Sequence, residues 1–166
     1  MKIYTKEGDK GTTKTFNGET VSNNDCLIVT NGKLDSLQAQ LDKVIYYMGI
    51  LPCKENFMSL FLKIERLLLY VGGEISGQGA VVTNADVEEL EEAIDVLEID
   101  IHEFVRFKNP TGMEVNEARV RTRDLERVLV TSLNDKKISE TTYKYINRLS
   151  DYLFAVSIFL EEEYED

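Results

Sequence analysis

A chain of 166 residues, 43% of them hydrophobic, can bury a core of its own and falls within the usual span of one domain, about 100–200 residues. Its 30 acidic residues outnumber 19 basic ones for a formal net charge of −11, which argues against nucleic acid as a partner, because such partners require clustered positive charge. The N-terminus shows no basic region leading into an apolar stretch, and no apolar run reaches about 18 residues, so a cytoplasmic protein with no membrane segment is expected.

The first thirty residues are rich in turn chemistry. In Tyr4-Thr5-Lys6-Glu7-Gly8-Asp9-Lys10-Gly11-Thr12-Thr13, glycines would let backbone N–H groups turn toward a phosphate, hydroxyls would donate hydrogen bonds and lysines would supply charge. The pattern is not GxxxxGK[ST], and a flexible polar arm explains the same residues. Cys26 and Cys53 lack CxxC spacing, so neither zinc nor a disulfide framework is indicated; buried or half-buried thiols are expected.

Helical periodicity begins near Gly32. Leu34, Leu37, Leu41, Val44, Ile45 and Met48 recur at steps of three and four, up to Gly49 and Pro52. A second series, including Phe57, Phe61, Ile64, Leu68, Val71 and Ile75, runs to Gly77-Gln78-Gly79. A third helix starts with Thr83 or Asn84 as N-cap and acids in its first turn; Ile99 to Phe107 leave its end open. The fourth carries the arginines and runs to about Leu133, and the fifth opens at Ser139 and continues through Leu160. The expected fold is therefore all-α, a five-helix up-and-down bundle in one domain (1–166), with an irregular arm over 1–30 and helices over 31–166.

On the fourth helix, Arg119, Arg123, Glu126 and Arg127 fall at i, i+4, i+7 and i+8. Such a stripe reads either as a solvated face laced with charge pairs or as an anion site. On the fifth, Asn147, Asp151 and Phe154 share a side distinct from the apolar one. An amide, a carboxylate and an aromatic together suit a ligand wall or a subunit interface.

These stretches, in order, resemble the ATP:cob(I)alamin adenosyltransferases of the propanediol-utilisation type. The resemblance is carried by Tyr4-Thr5-Lys6 with Gly8-Asp9-Lys10-Gly11-Thr12-Thr13, by Gly32, Asp35 and Leu37, and by Leu90-Glu91 with Ile94-Asp95. Phe107, Pro110 and Gly112 follow, then Ala118-Arg119, Arg123 and Glu126-Arg127, and finally Tyr145-Ile146-Asn147-Arg148-Leu149-Ser150-Asp151 with Leu153-Phe154.

The resemblance implies a homotrimer with nucleotide sites between neighbouring subunits. It also implies transfer of the 5′-deoxyadenosyl group of ATP to the Co(I) of cobalamin or a related corrinoid, with release of triphosphate. By the same resemblance Thr5, Lys6, Gly8, Asp9, Lys10, Gly11, Thr12 and Thr13 form the triphosphate cradle, Arg123 contacts the phosphates, Glu126 helps fix Mg²⁺ or the nucleotide, and Asn147 holds the nucleoside. Asp35 and Arg119 correspond to an ion pair across the subunit interface. Phe107 corresponds to the aromatic under the corrin that displaces the lower axial ligand, with Asp151 and Phe154 lining the same end; a corrinoid reductase or acceptor enzyme becomes a candidate partner. His102 matches no role and reads as a surface or packing residue. Thr20 and Asp124 stand where arginines are usual and Ser36 where an acid is usual, which places extra acid near the phosphates. Two other functions stay open on the residues alone: a nucleotide- or corrinoid-binding sensor or carrier without turnover, and a structural helical oligomer.

Overall fold

The computed structural model describes residues 1–101 and 103–165; His102 lies outside the described residues. Five helices form among them: α1 (Cys26–Met48), α2 (Met58–Ile75), α3 (Asn84–Val96), α4 (Pro110–Asn134) and α5 (Glu140–Glu165). Helix α4 lies against both α5 and α1, α2 packs on α1, and α3 packs on α5. The expected helical bundle is the observed one.

Local chemistry sets the helix ends. Helix α1 begins at Cys26, ahead of the expected Gly32, because Asp25 caps it by accepting from the Leu27 N–H at 3.0 Å. Its opening turns bury Thr30, whose hydroxyl donates to the Cys26 carbonyl at 2.7 Å, so no apolar series announces them. Thr83 and Asp86 form a capping box at the start of α3, which explains why Val81-Val82-Thr83 makes no strand. The apolar series after Val96 is not more helix; residues 99–101 and 103–108 are irregular up to Asn109. Asn109 caps α4, with Pro110 in the first turn, where its missing N–H costs nothing.

The N-terminal arm contains a small hairpin that its composition did not reveal. Strands β1 (Thr12–Lys14) and β2 (Thr20–Ser22) pair antiparallel with Thr13 opposite Val21, and Gly18, at φ +82°, turns the chain between them. Cys53 is half-buried, and burial pushes its thiol pKa up. Cys26, expected to be at least half-buried, is exposed, because it sits at the solvent side of the first turn of α1.

One core cluster runs through all five helices. On α4 the buried face is Val115, Ala118, Thr122, Leu125 and Leu129, at steps of three and four. Burying that face turns Arg119 and Arg123 outward, away from the core. Helix α4 meets α1 along a polar seam in which Lys33 faces Asp124 at 3.9 Å, the Ser36 hydroxyl accepts from Arg121 at 2.7 Å, and Lys43 faces Glu114 at 3.2 Å. Gln40, buried, donates to the Glu114 carboxylate at 2.7 Å.

Leu125 is fully buried at the centre of the α4 face. Leu125→Ala should therefore lower stability by about 2–5 kcal/mol, read from urea unfolding; a loss below about 1 kcal/mol would place that side chain outside the core.

Between α1 and α2, burial and the adjacent Asp42 carboxylate raise the Glu65 pKa to about 7. Its Oε1 is buried without a hydrogen-bond partner, a setting that disfavours the charged carboxylate. A carboxyl whose pKa is higher folded than unfolded stabilises the fold at low pH and loses that contribution as pH rises through the folded value. The wild type should lose stability from about pH 5 to pH 8, and Glu65→Gln should flatten that window in thermal melts; an unchanged slope would show that the pair does not share a proton.

Candidate active site on the outer face of α4 and α5

The exposed side of α4 and the adjacent side of α5 form two walls of a cavity of about 790 Å³, and the segment after α3 forms the third. From α4 come Asn116, Arg119 and Arg123; from α5 come Ser150, Asp151 and Phe154; from the segment come Phe104 and Phe107 with their neighbours. The space has a cationic side and an aromatic side.

The cationic side is held by short-range contacts. The Arg119 Nε donates to the Asn116 Oδ1 at 2.8 Å, and its guanidinium lies over the Phe154 ring, 5.5 Å from the centroid. Burial, and then the charge of Arg123, depress the Arg119 pKa below the ordinary arginine value; the group remains cationic across the physiological range. Two like charges held this close favour an anion between them. Arg123 donates to the Glu126 Oε2 at 2.9 Å, and Glu126 is the more shielded partner. Tyr143 of α5 stands close enough to feel both: burial and then Glu126 raise its pKa, while Arg123 opposes the rise.

The expected stripe of three guanidiniums contains two. At about 100° per residue, Arg123 and Glu126 stay within about 40° of Arg119, whereas Arg127 is about 80° away. Arg127 accordingly leaves the cavity, 69% exposed, and pairs with Asp124. Asp124 itself turns toward Lys33 of α1, so the acid that replaces an expected arginine lies in the helix seam and adds no charge to the cavity. Ser36, in place of an acid, accepts Arg121 in that same seam.

Other site residues are placed apart. Asn147 is half-buried on α5, one turn from Asp151, and its carbonyl accepts the Ser150 hydroxyl at 2.8 Å. Asp35 is exposed on α1 and makes no ion pair with Arg119 within one chain. Thr5, Lys6, Gly8, Asp9, Lys10 and Gly11 are exposed, Thr12 and Thr13 are half-buried in β1, and none of them lines the cavity. Tight turns shape this loop: Asp9 N–H donates to the Lys6 carbonyl and Gly11 N–H to the Gly8 carbonyl, with Lys6 at φ +65° and Gly11 at φ +82°. A lysine in the left-handed region is strained, as are Glu98 and Lys136 at other turns of the chain.

The hairpin that follows the loop lies by the end of α2 and by Lys136 and Lys137, beyond the end of α4. Eleven residues of helical rise separate Arg123 from Asn134 at the end of α4, about 16 Å. Among the described residues, those of the loop do not line the cavity that holds Arg119 and Arg123 of the same chain.

Sequence reasoning missed Asn116, Tyr143 and Phe104. Asn116 lies three residues before Arg119 and is legible as its helical neighbour once the stripe is drawn. Phe104 falls in the apolar series that leaves the end of α3 open in the sequence; in the structure it is 86% exposed at the mouth of the cavity, with Arg106 stacked on it at 5.5 Å.

A sequence profile described as cobalamin adenosyltransferase matches residues 3–160. Among curated proteins, the chain is 32% identical to the corrinoid adenosyltransferase of Bacillus subtilis, over 95% of this chain and 85% of that one. It is 28% identical to the corrinoid adenosyltransferase of Citrobacter freundii, over 94% and 93%. Among solved structures, a variant PduO-type ATP:corrinoid adenosyltransferase from Lactobacillus reuteri complexed with ATP superposes with a TM-score of 0.85 at 24% identity, covering 98% of this chain and 96% of that one. Another variant of that enzyme, complexed with cobalamin and ATP, gives 0.83 at 24% identity over 99% and 93%. The fold is the same, and a match running through nearly the whole sequence places the chain in the cobalamin adenosyltransferase family.

Proposed function

We propose that the chain is an ATP:corrinoid adenosyltransferase whose active site lies in the cavity of α4 and α5 and is completed by the phosphate loop of a neighbouring copy. The observation that carries this reading is the division of the cavity wall between Arg119 and Arg123 on one side and Phe107 and Phe154 on the other. A polyanion and a large apolar ring system would both find their chemistry there.

In the reaction, the Co(I) electron pair attacks C5′ of ATP, the cobalt–carbon bond forms as the C5′–O bond breaks, and triphosphate departs with that bonding pair. The corrinoid substrate supplies the nucleophile, so no side chain need attack the ribose. The protein's task is to align C5′ with cobalt and to stabilise charge on the leaving group. Arg123 contacts the phosphates, with Glu126 fixing its direction, and Asn147 holds the nucleoside. Phe107 packs under the corrin and keeps a lower ligand away, with Asp151 and Phe154 at the same end.

The described residues hold no group of three or more acidic, His or Cys side chains suited to a metal. Mg²⁺ would be carried largely by the phosphates, with Glu126 beside Arg123 as a candidate carboxylate contact, in keeping with the preference of Mg²⁺ for substrate oxygens and water.

The separation of loop and arginines supports an assembly of copies, for which a homotrimer is the expected form. Thr5, Lys6, Gly8, Asp9, Lys10, Gly11, Thr12 and Thr13 of one subunit would close over the arginines of the next, and Asp35 of one would meet Arg119 of another. A reductase that delivers Co(I), or an enzyme that accepts the product, would approach the open mouth at Phe104. No helix of the described residues is long and apolar enough to cross a membrane, and a cytoplasmic setting suits a substrate that must stay reduced.

The direct test is anaerobic absorption spectroscopy with cob(I)alamin, ATP and Mg²⁺, in which a light-sensitive cobalt–carbon product should form only when ATP is present. A spectral response of cob(II)alamin to ATP without product would mark a binding protein instead.

Arg123→Ala should lower turnover about a hundredfold or more while leaving the oligomer intact. Wild-type rates in that variant would remove Arg123 from the phosphate site.

Asp35→Asn should weaken subunit association or corrinoid use more than nucleotide binding, as read by sedimentation and by corrinoid kinetics. If sedimentation and corrinoid kinetics are both unchanged, the pairing across the interface does not exist.

A further inference from the structure

Phe107 sits on a strap whose attachment to the bundle is unusual. Residues Ile101 and Glu103 to Arg106 line the active-site cavity on one side and a second cleft of about 460 Å³ on the other, so the strap is a thin wall. Between Glu103 and Phe107 no hydrogen bond to another described residue holds it. The next two residues are gripped. The Glu161 carboxylate of α5 accepts the Lys108 N–H on both oxygens at 2.9 Å and the Asn109 N–H at 2.8 Å. Asn109 in turn donates its side-chain amide to the Leu160 carbonyl at 3.0 Å and accepts from Gly112 N–H at 3.0 Å.

Glu161 is 6% exposed, an expensive place for a carboxylate unless charge and hydrogen bonds compensate it. The compensation comes from these N–H groups and from the positive end of the α4 dipole, which begins at Asn109. An apolar side chain at 161 would fill the space and leave the N–H groups unpaired.

The geometry also links two walls of the cavity. Phe154 and Glu161 are seven residues apart on α5, within about 20° of the same face. One face of one helix thus carries one aromatic of the cavity and the anchor for the segment that bears another.

We propose that Glu161 is a positioning residue of the corrinoid pocket, its carboxylate holding the backbone at Lys108 and Asn109 so that Phe107 stands at the distance from Phe154 that the substrate requires. This rests on the reading of Phe107 as a corrin contact.

The test uses the full chain with cob(I)alamin, ATP and Mg²⁺, comparing wild type, Glu161→Gln, Glu161→Ala, Phe107→Ala and the double variant Phe107→Ala with Glu161→Gln. Glu161→Gln keeps the shape and one acceptor oxygen, so it remains informative if the alanine variant does not fold. The expected result is a loss in corrinoid kcat/KM of about tenfold to a hundredfold, with ATP affinity within about twofold of wild type, because a small misplacement near the reacting centre acts on one substrate only. In the Phe107→Ala background the Glu161→Gln change should add nothing, since residues acting through one another are not additive. Full additivity in the double variant, wild-type corrinoid kinetics in Glu161→Gln, or ATP affinity falling in parallel with thermal stability would each overturn the positioning role. A wild-type chain that forms no adenosylated product would overturn the adenosyltransferase reading first, and the role of Glu161 with it.

Discussion

The antiparallel contact between α4 and α5 is the constraint on which the rest depends. Its inner face is apolar and continuous from Val115 to Leu129, and burial of that face leaves the opposite side of α4 only one direction in which to point. The direction of Arg119 and Arg123 is thus a by-product of hydrophobic packing. The aromatic half of the cavity depends on the same contact, because α5 contributes Phe154 directly and carries the residue that fastens the strap bearing Phe107. Slipping α4 against α5 would move every wall of the site at once.

The seam between α1 and α4 shows how substitutions that look damaging can be absorbed elsewhere. Asp124 occupies a place where the family resemblance leads one to expect an arginine, and Ser36 one where it leads one to expect an acid. Both lie on the side of α4 and α1 where the helices touch, and both find partners there: Lys33 and Arg127 for Asp124, Arg121 for Ser36. Both residues are satisfied within the seam, and the cavity's own lining keeps its cations. Such partly exposed pairs contribute modestly to stability, and their effect is mainly to fix the register of the helices.

The helices were legible because buried faces repeat every three to four residues, and this signal is strong in Phe61, Ile64, Leu68 and Val71 or in Leu149, Leu153 and Val156. It fails where burial is polar or absent. Thr30 replaces an apolar residue in the second turn of α1, and the hairpin at Thr12–Ser22 is too short for an alternating pattern. At the site, the spacing of Arg119, Arg123 and Glu126 was readable, but a shared face drifts as residues are added, and Arg127 fell on the wrong side of that drift. The part played by Glu161 was hidden because it joins residues more than fifty positions apart through backbone groups, which leave no mark on composition.

The loop from Thr5 to Gly11 has a different standing from everything else in the molecule. Its turns close on themselves, its residues are exposed, and its outward link in the hydrogen-bond pattern is the local one from Asn23 to Gly11. The bundle folds without needing its side chains. Selection can therefore alter this loop, residue by residue, at little cost in stability, while the arginine face stays bound to the core that orients it. Changes in the loop should be felt in what the protein binds, and changes in the buried faces of the five helices in whether it folds.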